Sequence, residues 1–444
     1  MKTCSEEMEN DLTRRQFIRY SGKAALAAGL TGFVSPLIGG VKAATSNNGL
    51  LVVISQTGAA PDKALPRALK EFEAANPGLT TKLVLFPEEK FVAMYTAAKT
   101  AGEQVDFLNL NGQDLRRYAT SNALLSCDSI SYQDRFITEA LTPYTVNGHL
   151  WGLPAGAAGG FVVFTNRALL EKLGVKDPAT YDELKQIGDA LRSKGLSAFT
   201  HPGKVIYMWP VWFFTTFAQT TGNRSIERTT EILAGKGKFT DPDVVEALDL
   251  VFRFSRDKLF SPGVFGLDFA NAQSEFQTGK ACFYLFHDSI AKGLHDAESD
   301  QLKLDFMLMP NLVKKSVLSQ FPGGPGLVMA IPAQIDPSRK EAALHLLDFL
   351  SSDAINRESM QINGGAVPVN VNVQPSELPF YQKEKTEIAK MVTYLDWFYP
   401  PEITTAMQEG LQSGLAGRIT AEALAKNLQA LLERLSNSGY RFAG

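Results

Sequence analysis

The stretch LLVVIS at residues 50–55 opens an alternation of strands and helices that ends with VDFLNL at residues 105–110. Short apolar runs predict strands at 50–55, 83–86 and 105–110. Apolar residues at the helical period predict helices at 65–75 and 90–101, in the gaps between those strands. Strands and helices in this order place parallel strands in one sheet, with the helices on its faces. This part of the chain is therefore expected to be an α/β unit with a mostly parallel sheet.

Helix-start signals occur in the rest of the chain. Thr180 followed by Glu183 fits a capping box, in which each side chain accepts a backbone hydrogen bond at a helix start. Asp241 and Asp336 each precede a proline, and this pair is typical of an N-cap followed by the first helical position. A leucine stripe within 424–435 predicts a last helix with one face packed on a core.

The length and charge of the chain limit its class. It has 444 residues, of which 45% are hydrophobic, and this is enough for more than one core. The sequence contains no long flexible linker, so we expect two lobes joined by several short crossings. Lys and Arg total 44 against 47 Asp and Glu, for a net charge of -3, and nucleic acid is therefore not an expected partner.

Sequence signatures of catalysis and of metal binding are missing. There is no HExxH motif, no GxSxG motif and no complete phosphate-binding loop of the GxxxxGKS type. The histidines are scattered and the cysteines form no CxxC pair, so we expect neither a metal nor a cofactor. Cys127 and Cys282 could form a disulfide in an oxidising compartment, and the sequence leaves their pairing open.

The first 43 residues resemble a twin-arginine export signal. They contain TRRQFIR at 13–19, a mildly apolar stretch at 24–38 and VKA at 41–43. Paired arginines, a short apolar region and small residues at a cleavage site are the parts of such a signal. We expect cleavage near Ala43 and a periplasmic mature protein, because the apolar stretch is too short to span a membrane.

Several segments, in order, carry a resemblance to a known family. They are VNGHLWGLP at 146–154, FTNRALL at 164–170, TYDEL at 180–184, FQTGKAC at 276–282 and NGGAVP at 363–368. Together they resemble the extracellular solute-binding proteins of bacterial ABC importers, the large family that includes maltose-binding and other sugar-binding proteins.

The resemblance implies a periplasmic-binding-protein type II-like fold, in which two α/β lobes are joined by multiple hinge crossings with a ligand cleft between them. It implies one lobe from 45–156 and 281–331, and a second lobe from 157–280 and 332–444. It also implies a receptor that captures a carbohydrate, such as an oligosaccharide, by lobe closure and delivers it to an ABC-transporter permease. Such a receptor is not an enzyme, holds no cofactor and is expected to be a monomer.

A sugar presents hydroxyl groups at its edge and apolar C–H faces, so its site needs planar polar side chains and aromatic rings. Polar turns that resemble the family's cleft, together with aromatic segments, supply both kinds of group. The candidate ligand-binding residues are Gln56, Thr57, Asn111, Asp114, Tyr207, Trp209, Trp212, His287, Asp288, Gly324, Asn363, Trp397 and Tyr399.

Some of these candidates also have a purely structural interpretation. The apolar segment 209–214 fits a buried core equally well. His287 and Asp288 fit a capped turn, and the glycines within 323–326 fit a turn that needs positive φ. The aromatic residues within 396–401 stand beside prolines, and rings in such positions also act as loop anchors.

The type of solute stays open at this point. Many sugar binders of the family have an aromatic residue after the first strand, where this chain has Ser55-Gln56-Thr57-Gly58. One alternative is a non-sugar solute, such as a polyamine, a metal complex or a phosphate ester, and another is a secreted carbohydrate-active hydrolase. Charge in the cleft separates the solutes, because a polyamine needs converging acids, a phosphate needs bases or helix N-termini, and a neutral sugar tolerates a mixed lining.

Overall fold

The computed structural model describes residues 49–57, 62–315, 317–363 and 367–440, with the side chains of Glu89 and of residues 296–300 excepted. The predicted export signal and its cleavage site near Ala43 lie outside the described residues. Within the described ranges, no helix combines the length and the apolar character that crossing a membrane requires.

The strands, in chain order, are β1 (Leu50–Thr57), β2 (Thr80–Pro87), β3 (Phe107–Leu110), β4 (Thr145–Val146), β5 (His149–Leu150), β6 (Leu153–Pro154), β7 (Ala157–Asn166), β8 (Ser197–Thr200), β9 (Ala281–His287), β10 (Leu304–Met307), β11 (Phe321–Gly324), β12 (Val328–Ala330), β13 (Val367–Pro368) and β14 (Met391–Thr393). The helices are α1 (Ala64–Ala75), α2 (Phe91–Thr100), α3 (Gly112–Thr120), α4 (Thr138–Leu141), α5 (Arg167–Leu173), α6 (Tyr181–Arg192), α7 (Pro210–Thr220), α8 (Ser225–Leu233), α9 (Pro242–Arg256), α10 (Phe269–Gln277), α11 (Ala291–Leu302), α12 (Pro337–Leu350), α13 (Asp353–Asn363), α14 (Pro379–Glu387), α15 (Pro401–Leu415) and α16 (Ala421–Asn437). Short turns of 3₁₀ helix follow β2, β9 and β14.

The first sheet has the strand order β2-β1-β3-β12-β6. β1 is parallel to β2 and to β3, as the alternation of strands and helices predicted, while β12 is antiparallel to β3 and to β6. The apolar residues of β1 are buried, with Leu51 and Val53 fully inaccessible, because helices cover the sheet. α12 packs against β1, and α13 packs against α1.

The second sheet has the order β14-β11-β7-β9-β8, and β10 and β13 also pair with β7. It is mixed, since β9 is antiparallel to β7 and parallel to β8. A large core lies beside it, in which aromatic rings from β8, α7 and α9 pack together. There, the rings of Phe199 and Trp212 are 5.1 Å apart and those of Trp212 and Phe254 are 5.0 Å apart.

Within the described residues, the chain passes between the two sheets between β6 and β7 and between β11 and β12. The elements α13 and β13, which flank residues 364–366, also lie on different sides. This pattern corrects the strand membership that the resemblance implied. We expected 281–331 to join the first lobe, but β9, β10 and β11 pair with β7 of the second sheet, and only β12 joins the first. The start of 332–444 also differs, because α12 and α13 pack on the first sheet's side. The reason is that the ten-residue strand β7 accepts several partners along its length.

Most of the predicted helix starts are confirmed. Thr180 caps α6 by accepting the N–H of Glu183, and Asp336 caps α12 by accepting the N–H of Ser338. The capping box differs in one detail, since Glu183 accepts the N–H of Ala179 at 2.6 Å. Asp241 precedes α9 without a side-chain cap, because its carboxylate instead accepts from Arg228 and the N–H of Lys238.

The structure also places the leucine stripe and the two cysteines of the mature chain. The leucine stripe of α16 packs on the core, with Leu424, Leu428 and Leu432 buried. Cys127 and Cys282 are both buried free thiols, so the disulfide between them is not formed. Burial raises the pKa of the Cys127 thiol to about 12.

Candidate functional site

Polar residues meet at the carboxyl edge of the first sheet, where the parallel strands β1 and β3 end. The Gln56 amide donates to Asp114 Oδ2 at 2.5 Å and accepts the N–H of Asn111 at 2.5 Å. Asn111 caps α3 by accepting the N–H of Asp114 at 2.8 Å. Three of the predicted site residues are therefore brought together, because parallel strands end at the same edge of a sheet.

Glu88, which we did not predict, belongs to the same group. It follows β2, the third parallel strand, and accepts from Asn111 Nδ2 at 3.1 Å. Burial raises the pKa of Asp114, and the charge of Glu88 raises it further, whereas Arg117 and Gln56 oppose this rise. The position of Glu88 directly after a predicted strand was the signal that could have identified it.

Trp397 lies between the two sheets. A Cβ on Gly112 at the start of α3 would come within 2.2 Å of its ring, and a Cβ on Gly324 of β11 within 3.0 Å. The ring also stacks on Tyr144 at 6.3 Å with an interplanar angle of 16°. A side chain larger than hydrogen at residue 112 would displace this ring, so the close approach depends on glycine at that position.

Two further contacts near Trp397 join α3 to the segment after β14. Gln113 Nε2 donates to the carbonyl oxygens of Asp396 at 3.1 Å and Tyr399 at 3.4 Å. The guanidinium of Arg116 lies 4.2 Å from the centroid of the Phe398 ring, and burial lowers the pKa of Arg116 to about 10. α3 of the first sheet and the segment after β14 therefore touch directly.

A row of aromatic rings leads from Trp397 into the second sheet. Trp397 and Tyr394 are 5.5 Å apart, Tyr394 and Phe161 are 6.0 Å apart, and Phe161 and His287 are 5.4 Å apart. We call Trp397, Tyr394, Phe161 and His287 the aromatic row. These edge-to-face contacts connect the ring between the two sheets to the end of β9.

His287 and Asp288 form the corner after β9. His287 Nδ1 accepts the N–H of Ser289 at 3.2 Å, as in the capped turn, while its ring ends the aromatic row. Asp288 is 0% exposed, and its carboxylate lies so close to β7 that a Cβ on Gly159 would come within 2.4 Å of Oδ1. The pKa of Glu384, a buried neighbour on α14, is raised by burial and by the charge of Asp288.

Three predicted platforms are corrected, because their rings lie in the core beside the second sheet. Trp209 is 0% exposed and its Nε1 donates to the carbonyl of Gly203, and Trp212 is 1% exposed and its Nε1 donates to His201 Nδ1. The ring of Tyr399 is likewise buried, and only its carbonyl faces α3. Rings held in this way are part of the packing that stabilises the fold.

The remaining predicted residues are Tyr207, Asn363 and Thr57. Tyr207 is 54% exposed. Its pKa is raised by burial and by the charge of Glu88, so Tyr207 lies near Glu88 at the edge of the first sheet. Asn363 donates to Asp62 at 2.9 Å and accepts from Lys63, at the start of α1. Thr57 ends β1 half-buried. The aromatic row and the group at Gln56 form the candidate site, and Asn363 contacts neither of them in the hydrogen bonds described for it.

The residues that we missed are Glu88, Tyr144, Phe161, Glu384, Tyr394 and Asp396. Phe161, Tyr144 and Tyr394 look like ordinary core residues in the sequence, and Glu384 lies on a helix with no motif. In the described part of the chain, no group of three His, Cys, Asp or Glu residues is placed to hold a metal ion.

A family model described as bacterial extracellular solute-binding protein matches residues 67–390. A Brucella abortus protein described as a binding protein is 26% identical over 389 residues, which cover 81% of this chain and 87% of that protein.

Solved structures are similar over nearly the same length. A chitin oligosaccharide binding protein superposes with a TM-score of 0.74 at 19% identity, covering 87% of this chain and 99% of that one. A maltose-bound protein of T. maritima superposes with a TM-score of 0.68 at 21% identity, covering 87% and 100% of the two chains. These likenesses confirm the predicted fold of two α/β lobes. Since the family match spans most of its length, the chain belongs to the bacterial extracellular solute-binding proteins.

Proposed function

We propose that this protein is an extracytoplasmic receptor that captures a carbohydrate, such as an oligosaccharide, by lobe closure and delivers it to the permease of an ABC importer. The observation that carries the proposal is the position of Trp397. Its ring stands between α3 of the first sheet and β11 of the second, and it begins the aromatic row. A solute bound here touches both sides at once.

The chemistry of this place suits a sugar. Aromatic faces pack on the apolar C–H faces of a pyranose ring, and the edge hydroxyls need groups that donate and accept. The amides of Gln56 and Asn111 lie within hydrogen-bonding distance of the carboxylates of Asp114 and Glu88, so these four residues already form a polar network. Sugar hydroxyls would replace parts of that network.

The position of Trp397 between the two sheets also gives a reason for the lobes to close on the solute. Contacts that both lobes make together exist only in the closed form, so the solute binds that form more tightly and shifts the population toward it. The short connections at 155–156 and 325–327 are the places where we expect the backbone to bend. Binding in this scheme needs no chemical conversion, and the carrier works as a monomer exported by its first 43 residues.

The similarity to a chitin oligosaccharide binding protein and to a maltose-bound protein supports a carbohydrate as the solute class. These similarities leave this chain's own solute to experiment, because the identities of 19% and 21% carry only the fold.

The test is isothermal calorimetry of the purified protein against a panel of neutral and charged mono- and oligosaccharides, with small-angle scattering on any pair that binds. We expect micromolar or tighter binding of a saccharide and a smaller radius of gyration in the complex. Release of product from chromogenic glycosides would contradict a receptor and favour a hydrolase. Binding of phosphate esters or metal complexes with no saccharide binding would contradict the solute class.

A further inference from the structure

A cavity of about 420 Å³ lies beside the second sheet, away from the aromatic row. α6 and α9 end at this cavity, β8 starts at it, and residues 260–265 form one of its walls. Its volume is in the range of sites that bind small molecules. The cavity has no part in the proposed carbohydrate site, so its lining decides which ligand chemistry it suits.

The cavity and the aromatic row are at opposite ends of the second sheet. Ser197, which begins β8 and lines the cavity, pairs with Ala281 at the start of β9. His287 ends β9 and belongs to the aromatic row. The strand from Ala281 to His287 spans about 20 Å. A small molecule in the cavity therefore does not reach the proposed sugar site.

Aromatic rings form the wall of the cavity. Phe260 is 9% exposed and Phe265 is partly buried. Both are fixed from the core side by Trp209, whose ring lies 5.6 Å from that of Phe260 and 5.7 Å from that of Phe265. The wall therefore offers a preformed apolar surface for a flat ring.

Two serine hydroxyls at the cavity can only accept hydrogen bonds from a ligand. Ser255 Oγ donates to the carbonyl of Leu415 at 2.7 Å, and Ser261 Oγ donates to the carbonyl of Phe199 at 3.1 Å. Both serines line the cavity. Because each hydroxyl hydrogen is already used, only the oxygen lone pairs remain for a ligand. They suit a ligand that carries a hydroxyl group.

The charged residues of the lining are both basic. They are Arg192 and Lys258, and among the described residues no Asp or Glu lines the cavity. Arg192 donates to Asp189 and to the carbonyl of Asp257, so part of its guanidinium stays available for a ligand. Each of these two aspartates also has a base outside the lining as a partner of its carboxylate. The lining is therefore positive on balance, and this favours an anion.

The backbone of Lys258 indicates that its side chain has a role at this place. Its φ is +56°, in the left-handed region, and the next residue donates its N–H to the carbonyl of Phe254 in α9. α6 ends with the same kind of bond, but there the left-handed residue is Gly195. Glycine takes this conformation without strain and is the usual residue at such helix ends. The helix end by itself therefore does not explain a lysine.

The ammonium of Lys258 has no hydrogen-bond or ion-pair partner among the described residues. Lys303, which has the same left-handed backbone at the end of α11, pairs with Glu171 instead. A base near a helix C-terminus also interacts favourably with the helix dipole, so this structural role is the alternative that an experiment has to separate from binding.

We propose that this cavity is a second binding site, which takes a small carboxylate with an aromatic ring and a hydroxyl group. The carboxylate pairs with Lys258 and with the available N–H groups of Arg192. The ring packs on Phe260 and Phe265, and the hydroxyl group donates to a serine oxygen of the lining. This site does not depend on the proposed carbohydrate receptor, because the two places share no residue.

Two probes that differ in one charge test the site. They are 4-hydroxyphenylacetate and its neutral amide, 4-hydroxyphenylacetamide. Calorimetry of the full protein at neutral pH is expected to give about five-fold tighter binding of the carboxylate, because a hydrogen bond to a charged group is stronger, although solvent screens an exposed lysine. The preference is expected to shrink as salt is added. Equal affinities, or binding of neither probe, overturn the proposal.

Lys258→Gly removes the ammonium at a position whose backbone suits glycine. The melting temperature of this variant is therefore expected to stay close to that of the wild type. Its preference for the carboxylate is expected to fall below about two-fold. Lys303→Gly is the matched control, since it makes the same change at a left-handed lysine outside the lining, and it is expected to keep the wild-type preference.

A preference that survives Lys258→Gly overturns the assignment of the carboxylate to this ammonium. A role in the helix dipole alone predicts that outcome together with a lower melting temperature. An equal loss of preference in Lys303→Gly also overturns the site, because the effect would then come from the overall charge of the protein.

Phe265→Leu locates the probes in the cavity. Leucine keeps an apolar side chain but removes the flat ring, so both probes are expected to bind at least about three-fold more weakly while the preference for the carboxylate remains. Unchanged affinities for both probes would place them outside the cavity and overturn the site.

Discussion

Trp209 and Trp212 lie inside the core beside the second sheet, whereas Trp397 lies between the two sheets. The two core rings are at most 1% exposed, and each indole N–H has a partner within the protein. Trp397 instead lies close to Gly112 of α3 and Gly324 of β11, and it stacks on Tyr144. The comparison teaches that rings enclosed on all sides by one core stabilise the fold, and that the ring between the two sheets is the one that we propose as a solute contact.

The largest expected effect is a loss of stability when a ring is removed from the core beside the second sheet. Trp212→Ala removes a ring that contacts Phe199, Phe254 and Phe260 at centroid distances of 5.1, 5.0 and 4.8 Å. We expect the free energy of unfolding to fall by about 3 to 5 kcal/mol, because the cavity cannot be refilled by close-packed neighbours. Denaturant unfolding monitored by circular dichroism measures this. A loss below about 1 kcal/mol would place Trp212 outside the core.

Trp397→Ala is expected to affect saccharide affinity more than stability, unlike Trp212→Ala. Saccharide affinity should weaken by about 1 to 3 kcal/mol, on the scale of a lost buried aromatic contact, while the unfolding free energy changes less than in Trp212→Ala. Calorimetry and denaturant unfolding on the same preparation separate the two readouts. Trp397→Phe is the control, since it keeps a smaller ring and should retain part of the affinity. Unchanged affinity in Trp397→Ala would remove this residue from the site.

A matched pair of glycine substitutions sharpens the same contrast. In both cases an added Cβ meets an aromatic ring: Gly414→Ala would approach Phe252 within 1.8 Å, and Gly112→Ala would approach Trp397 within 2.2 Å. Phe252 is 3% exposed in the core, so we expect Gly414→Ala to cost about 1 to 3 kcal/mol of stability through overpacking.

The ring of Trp397 is only partly buried, so it can move aside in the Gly112 variant. We expect a stability change below about 1 kcal/mol together with a shifted tryptophan emission. Equal destabilisation by the two substitutions would show that the interlobe ring is held as rigidly as the core.

Sequence patterns predicted much of the fold, but they did not predict the difference between the core beside the second sheet and the region around Trp397. Strands and helices up to Leu110 were correct because periodicity is local. Gln56, Asn111 and Asp114, three of the predicted candidates, lie together because parallel strands end at the same edge of a sheet. The segments 209–214 and 396–401 have similar aromatic content, and only tertiary packing decides which ring is enclosed. Glu384 shows no local signal at all, because the carboxylate that it faces is 96 residues away, at Asp288. The lobe membership of β9 also could not be predicted, since the choice of pairing edge on β7 is a non-local property.

The core region contains a buried base. Burial lowers the pKa of His201, which contacts both Trp209 and Trp212, to about 3 from 6.5. A base whose folded pKa is depressed contributes stability above the unfolded pKa and loses it as the pH falls toward the folded pKa. Lowering the pH from 7 to 5 should therefore cost about 2 kcal/mol through His201. His201→Asn, which keeps an acceptor for Trp212, should reduce this loss, and an identical loss in wild type and variant would contradict the assignment.

The cleft region contains a half-buried acid, Asp396, whose effect on stability as the pH falls has the opposite sign. The pKa of Asp396 is raised by burial to about 6 from 3.8, so its proton is held more tightly in the folded state than in the unfolded chain. Its contribution to stability is fully present below 3.8 and is lost as the pH rises through about 6. From pH 7 to pH 5 this group should add about 1 kcal/mol, which opposes the larger loss at His201. Urea unfolding at both pH values measures the difference, and Asp396→Asn should make the net loss on acidification larger than in wild type. A smaller net loss in that variant would mean that the folded protein does not hold the proton of Asp396 more tightly than the unfolded chain does, and the contrast between the core base and the cleft acid would then fail on the cleft side.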